Sequence, residues 1–232
     1  MLPATVQASS AAGLKGEIRI VEPDRAQRSI ARRSAETRAT VPDLELSRDV
    51  EIGAALALAR DQRCSLTAIL VRACALALRD CPRANAAYRD GHYELYSRVN
   101  VAVAIHDDGT FTTPTVLDAD TKSLRELSDE VDAMRQLARA RELTPPQLAG
   151  ATFTLSDHGH RGAERWSALV TPSQAASLVA GSVRTAPVVR AGEVVAGELI
   201  GLTLGCDHRI LFGAQADAFL ENLSQRLERV QL

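Results

Sequence analysis

The sequence lacks an excess of either charge sign, a C-x-x-C pair and any long uninterrupted apolar run, and each absence removes a class of function. Its 27 Lys and Arg residues against 29 Asp and Glu leave a formal charge of -2. That balance gives no basic field for nonspecific nucleic-acid binding, so no nucleic-acid partner is expected. The four cysteines, Cys64, Cys74, Cys81 and Cys206, are scattered, which suits reduced thiols in a cytoplasmic protein and gives no metal site. The most apolar helical stretch is broken by Arg72 and Arg79 and falls short of the roughly 20 residues of a membrane span. No basic, apolar secretory start is present, and no G-x-S-x-G, Gly-rich phosphate loop, H-E-x-x-H or internal repeat occurs.

What remains is a globular composition, 46% apolar and 24% charged over 232 residues, enough to bury one large core or two modest ones. Residues 1–16, small and polar, are expected to be a flexible leader, with a single catalytic domain over 17–232. Arg25 to Arg38 holds five arginines and predicts a short exposed helix. A strand is expected at Leu44–Val50, then helices from Ile52 to about Arg63 and from Leu66 to Asp80, the second capped by Ser65 and stopped before Pro82. Alternating valines predict a strand over Arg98–Ile105, followed by a turn at Asp107, Asp108 and Gly109 and an extended piece around Pro114–Leu117.

Ser123 and Glu126 form a capping box opening a long helix that Pro145 and Pro146 should end. Short strands are expected at Thr152–Leu155, Ala168–Val170, Ser177–Val183 and Leu199–Cys206. A final helix should then carry Phe219, Leu220, Leu223, Leu227 and Val230 on one stripe. Helices early and strands late imply an α+β fold with a mixed or antiparallel sheet covered by helices.

Of five histidines, His92, His106, His158 and His160 lie in polar, turn-like stretches where surface exposure is the ordinary expectation. His208 differs. The strand over 201–206 puts Leu202, Leu204 and Cys206 on one face and Gly201, Thr203 and Gly205 on the other, and runs straight into Asp207-His208-Arg209. An imidazole delivered at a strand end is suited to general-base catalysis, because its unperturbed pKa lies nearest neutrality, although a structural histidine at the sheet edge fits the same pattern. A Cys206–His208 nucleophile is the rival reading, but the Leu202-Leu204-Cys206 register favours a buried, inert thiol. Ser156, Asp157 and His158 stand too close in the chain to be credited as a triad.

The segment G-C-D-H-R-I-L-F-G at 205–213 resembles the D-H-R-x-x-D-G signature of dihydrolipoamide acyltransferases, the catalytic cores of 2-oxo acid dehydrogenase complexes. A-T-F-T-L-S at 151–156, V-T-P-S-Q-A-A at 170–176, V-N-V-A-V-A-I at 99–105, D-A-D-T-K-S-L at 118–124 and S-I-A-R-R at 29–33 are similar to further family motifs, in the family's order. The resemblance implies a chloramphenicol-acetyltransferase-like fold, a homotrimer or multiple of trimers with active sites between subunits, and acetyl-CoA as co-substrate with no tightly bound cofactor. It implies His208 as the general base and Ser156 as the hydroxyl that stabilises the oxyanion, with no covalent acyl-enzyme.

Two departures stand out. Phe212 occupies the position of the family's aspartate, and Phe212 and Cys206 are marked as candidate linings of the substrate channel. The sequence also opens almost at the core, so no lipoyl-bearing domain is expected and a swinging-arm role would need the arm from another chain. That leads to the expected function: acetyl transfer from acetyl-CoA to the primary hydroxyl of a small natural-product intermediate, such as a hydroxymethyl-tetronate in tetronate or spirotetronate antibiotic biosynthesis. The alternatives are a dihydrolipoamide S-acyltransferase core and a catalytically inactive trimeric scaffold.

Overall fold

Side-chain caps fix where three of the helices begin. In the computed structural model, which describes residues 7–13, 16–107, 110–159 and 162–232, Asp24 accepts from the Gln27 N–H at 2.8 Å and opens α1 (Arg25–Thr40). Before it stand β1 (Gln7–Gly13) and β2 (Gly16–Ile20), and after it β3 (Asp43–Glu51) and α2 (Gly53–Gln62). Ser65 accepts from the Ala68 N–H at 3.2 Å and opens α3 (Leu66–Asp80). There follow β4 (Ala86–Arg89), β5 (His92–Leu95), β6 (Val101–Asp107), β7 (Thr110–Thr112) and β8 (Thr115–Val116). The reciprocal Ser123 and Glu126 box opens α4 (Leu124–Ala140). The chain closes with β9 (Phe153–Asp157), β10 (Ala176–Arg190), β11 (Glu193–Asp207) and α5 (Gly213–Arg229).

The main sheet runs β3-β11-β10-β9-β6-β7, with β8 also on β6. It is mixed: β10, β9 and β6 are parallel neighbours, and the remaining pairs are antiparallel. Register sorts its two faces by chemistry. Val103, Leu155, Leu178, Leu204 and Leu46 share one row; the first four are buried, Leu46 is half-buried, and all belong to the core packed with α3, α4 and α5. Ala104, Ser156, Val179, Thr203 and Ser47 form the adjacent row on the opposite face, so the alternation of β11 translates directly into one apolar and one small, polar face. Helix α3 is the buried centre of the helical layer, with Thr67 to Val71 and Ala73 to Ala75 all under cover.

The differences from sequence expectation have identifiable causes. Residues 168–170 form no strand. They belong to a strap, 163–170, laid across the polar face over Gly181, Gly201 and Gly205: a Cβ on Gly181 would stand 2.0 Å from the Glu164 carbonyl oxygen, and one on Gly201 2.4 Å from it. The strap's polar groups find partners outside a ladder, Ala168 N–H on Glu45 at 2.9 Å and the Leu169 carbonyl on the Ser177 hydroxyl at 3.1 Å. Strands β10 and β11 run far past the expected ends, joined by a two-residue turn at Ala191 and Gly192, both at positive φ. Helix α4 stops at Arg141 in the left-handed region, before Pro145 and Pro146, which open a 3-10 turn instead. Val230 is likewise a left-handed cap after α5, off the expected stripe.

Residues 7–13, placed by sequence within a leader, pair with β2 as an antiparallel hairpin; residues 1–6, 14 and 15 lie outside the described residues, as do Asp108 and Gly109 of the expected turn. Among the described residues no helix is long and apolar enough to cross a membrane.

Candidate active site

β11 delivers Asp207 and His208 to the sheet end, where two backbone bonds hold the turn: Asp207 N–H donates to the Ala175 carbonyl at 2.8 Å and His208 N–H to the Pro42 carbonyl at 2.9 Å. The Ile210 and Leu211 N–H groups both return to the Asp207 carbonyl, and the two side chains are fully buried, which leaves the intervening His208 pointing outward and exposed. Asp207 is almost wholly buried, yet its carboxylate is satisfied. Arg209 donates from Nη2 at 2.6 Å, from Nε at 2.9 and 3.2 Å, and from its backbone N–H at 3.0 Å. That side-chain bonding to Asp207 raises the Arg209 pKa above its ordinary value.

A second brace comes from the hairpin of β4 and β5. Tyr88 lies under the Arg209 guanidinium at 4.6 Å, and the Tyr93 hydroxyl donates to the Arg209 carbonyl at 2.9 Å. Arg83, just before β4, stands over the Tyr93 ring at 4.7 Å and the Phe212 ring at 5.6 Å. The Phe212 ring, 48% exposed, meets the His208 imidazole edge-on at 5.9 Å. Sequence reasoning did not find this hairpin or Arg83, although Asp90-Gly91, both at positive φ, is a recognised two-residue turn signal.

Ser156 sits near the end of β9 between Ala104 and Val179, partly exposed, and none of the described residues bonds to its hydroxyl. The structure does not bring it to His208 of the same chain. Ser156 shares a row with Thr203, two strands across and five residues before His208, which separates the two by on the order of 20 Å.

Two sequence readings are corrected here. Cys206 does not line a channel: it is fully buried, its even register with Leu202 and Leu204 turns it into the helix-covered core, and burial pushes its pKa up to about 12, with Cys81 and Asp207 adding to the rise. His158 is not a surface residue: it is 6% exposed and stacks on Trp166 at 4.1 Å, with the half-buried His106 ring 4.8 Å away. His92 is exposed on β5, and His160 lies outside the described residues. Among the described residues no cluster of three His, Cys, Asp or Glu could hold a metal ion.

The sheet and helices define an α+β fold of the chloramphenicol acetyltransferase type: one chloramphenicol acetyltransferase structure covers 85% of this chain, and 92% of that chain is covered, at a TM-score of 0.54 and 16% identity. The profile of the family "2-oxoacid dehydrogenases acyltransferase (catalytic domain)" matches residues 15–232, and the chain belongs to that family. It is 30% identical over 226 residues to the dihydrolipoyllysine-residue acetyltransferase component of the pyruvate dehydrogenase complex of Rhizobium meliloti (strain 1021), covering 92% of this chain and 51% of the relative. The chain thus spans about half the length of that relative. A solved dihydrolipoamide acetyltransferase of Azotobacter vinelandii, investigated for the role of a serine, a histidine and an asparagine in its catalytic mechanism, superposes with a TM-score of 0.90 at 24% identity, covering 94% of each chain.

Proposed function

We propose that the protein transfers an acyl group from a thioester to a small acceptor, with His208 as general base and Ser156 of a neighbouring subunit as oxyanion donor. One observation carries the reading. In the Azotobacter vinelandii enzyme 52 residues separate the investigated serine from the histidine and four separate the histidine from the asparagine, and Ser156, His208 and Phe212 repeat both spacings. The separation of roughly 20 Å within one chain then calls for a second copy to complete the site, which supports a trimer or a multiple of trimers.

The exposed imidazole takes the proton of the acceptor's S–H or O–H as that atom attacks the thioester carbonyl carbon. The carbonyl π electrons pass to oxygen, and the Ser156 hydroxyl donates to this oxyanion; such a donor is commonly worth on the order of 10²–10³ in rate. Collapse of the tetrahedral intermediate expels the thiolate of coenzyme A, which recovers the proton from His208. The backbone bonds to Pro42 and Ala175 and the Asp207–Arg209 pair keep the base in place without supplying a nucleophile. Cys206, buried as a thiol, is outside this chemistry.

The relatives favour a dihydrolipoamide thiol as acceptor. A second reading, acetylation of a primary hydroxyl such as that of a hydroxymethyl-tetronate, is favoured by Phe212, which puts an exposed apolar ring where the Azotobacter vinelandii chain has asparagine at the same spacing. Loss of the acetyl-CoA thioester, followed chromatographically with each acceptor in parallel, separates them. Activity with either acceptor should vanish in His208→Ala, and persistence in that variant removes the mechanism. Silence with both would favour the inactive scaffold.

A further inference from the structure

We infer that Arg83 is an anion-recognising, specificity-determining residue beside His208, and that the acyl acceptor carries a planar anionic oxygen group, a carboxylate or an enolate. The inference rests on the reading of His208 as the acyl-transfer base. Arg83 has its guanidinium over the rings of Tyr93 and Phe212 and its Nε buried with no hydrogen-bond partner. Among the described residues no carboxylate pairs with it, whereas neighbouring arginines are paired: Arg209 with Asp207, Arg89 with Glu94, Arg79 with Asp120. Phe212, the other ring under the guanidinium, offers no oxygen to neutralise the cation.

A second feature adds positive potential at the same place. Phe212 is the N-cap of α5, its ring offers no acceptor to the first N–H groups of this 17-residue helix, and no acidic residue lies in the first turn. The rings hold Arg83 by its faces and leave the two terminal Nη groups, which are not buried as Nε is, for a fork-like grip on two oxygens. Taken through Phe212, the two ring distances place the guanidinium carbon within about 12 Å of the imidazole. That span fits an acceptor whose nucleophilic atom and anionic group are one ring or a short alkyl chain apart. It is too short for the phosphates of coenzyme A, which lie a whole pantetheine arm from the thioester.

Lipoate and lipoamide differ in charge and share the ring, and in their oxidised form neither reacts, so their binding reads charge recognition apart from turnover. Calorimetry on the intact protein should show lipoate bound about tenfold more tightly than lipoamide, with the gap narrowing as salt is raised. Arg83→Gln should erase the preference and Arg83→Lys, which keeps the charge but loses the fork, should retain part of it; circular dichroism checks that each variant folds. Equal binding of the two by wild-type protein, no binding of lipoate, or a preference that survives Arg83→Gln overturns the inference, as does an effect of Arg83→Gln confined to the KM for acetyl-CoA. Loss of acetyl transfer in His208→Ala is a separate readout, so the two readings fail independently.

Discussion

Asp207→Asn removes one formal charge from a carboxylate that is 3% exposed and changes almost nothing in volume. The amide oxygen can still accept from the Arg209 backbone N–H and Nε, but the amide nitrogen then faces Nη2, which now donates at 2.6 Å. One charge-assisted bond is lost and a donor meets a donor. A buried pair broken this way would cost about 3 kcal/mol or more, but Arg209 is about a third exposed and can turn to water, so we expect about 1–2 kcal/mol. Arg209 would remain on Tyr88, and its carbonyl would keep the Tyr93 hydroxyl, so the turn loosens without collapsing. His208 is the next residue, and a displacement of about 1 Å at a catalytic base can lower turnover on the order of 10²-fold. Urea unfolding with an unchanged m-value and the acetyl-transfer assay together measure both consequences. A stability loss below about 0.5 kcal/mol with unaltered turnover would refute the bracing role of the pair.

Gly181→Ala should destabilise by about 3 kcal/mol, because its Cβ would stand 2.0 Å from a backbone oxygen of the strap that cannot rotate away; a neutral result in thermal unfolding would mean that the strap is loosely held. Cys206 should resist alkylation in the folded protein at pH 8 while the half-buried Cys64 and Cys81 react, as mass spectrometry of labelled peptides would report. Burial raises the Cys206 pKa to about 12 and that of Cys74 as well, so the unfolded chain loses these protons first as pH rises. Their contribution is therefore complete below about pH 8.5 and declines above it, by up to about 1.4 kcal/mol per pH unit for each thiol, and Cys206→Ala should flatten the alkaline limb of the melting curve.

The parts of this fold that were legible in the sequence are those specified locally. Ser65 and the Ser123–Glu126 box marked the starts of α3 and α4, because a cap acts within four residues of itself. The alternation of Leu202, Leu204 and Cys206 predicted both the face of β11 and its delivery of His208. What stayed hidden depends on partners far along the chain. Residues 168–170 of the strap read as a strand until Gly181, Gly201 and Gly205 are seen to leave the strap a path. His158 looks like a turn residue because its cover, Trp166, comes from that same strap. Arg83 is one arginine among many, and becomes notable only when β4 and β5 place it against Phe212. Ser156 and His208 could be named from motifs, but their wide separation emerged only from the sheet register.

That separation sets the decisive measurement. Ser156→Ala and His208→Ala proteins, each inactive or nearly so alone, are mixed in equal amounts, unfolded and refolded together, and assayed for acetyl transfer. If each site takes its histidine from one chain and its serine from a neighbour, random assembly gives about one site in four with both intact, and about a quarter of the wild-type rate should return. A mixture no more active than either variant alone would place both groups' work within a single chain, against a register that holds them on the order of 20 Å apart.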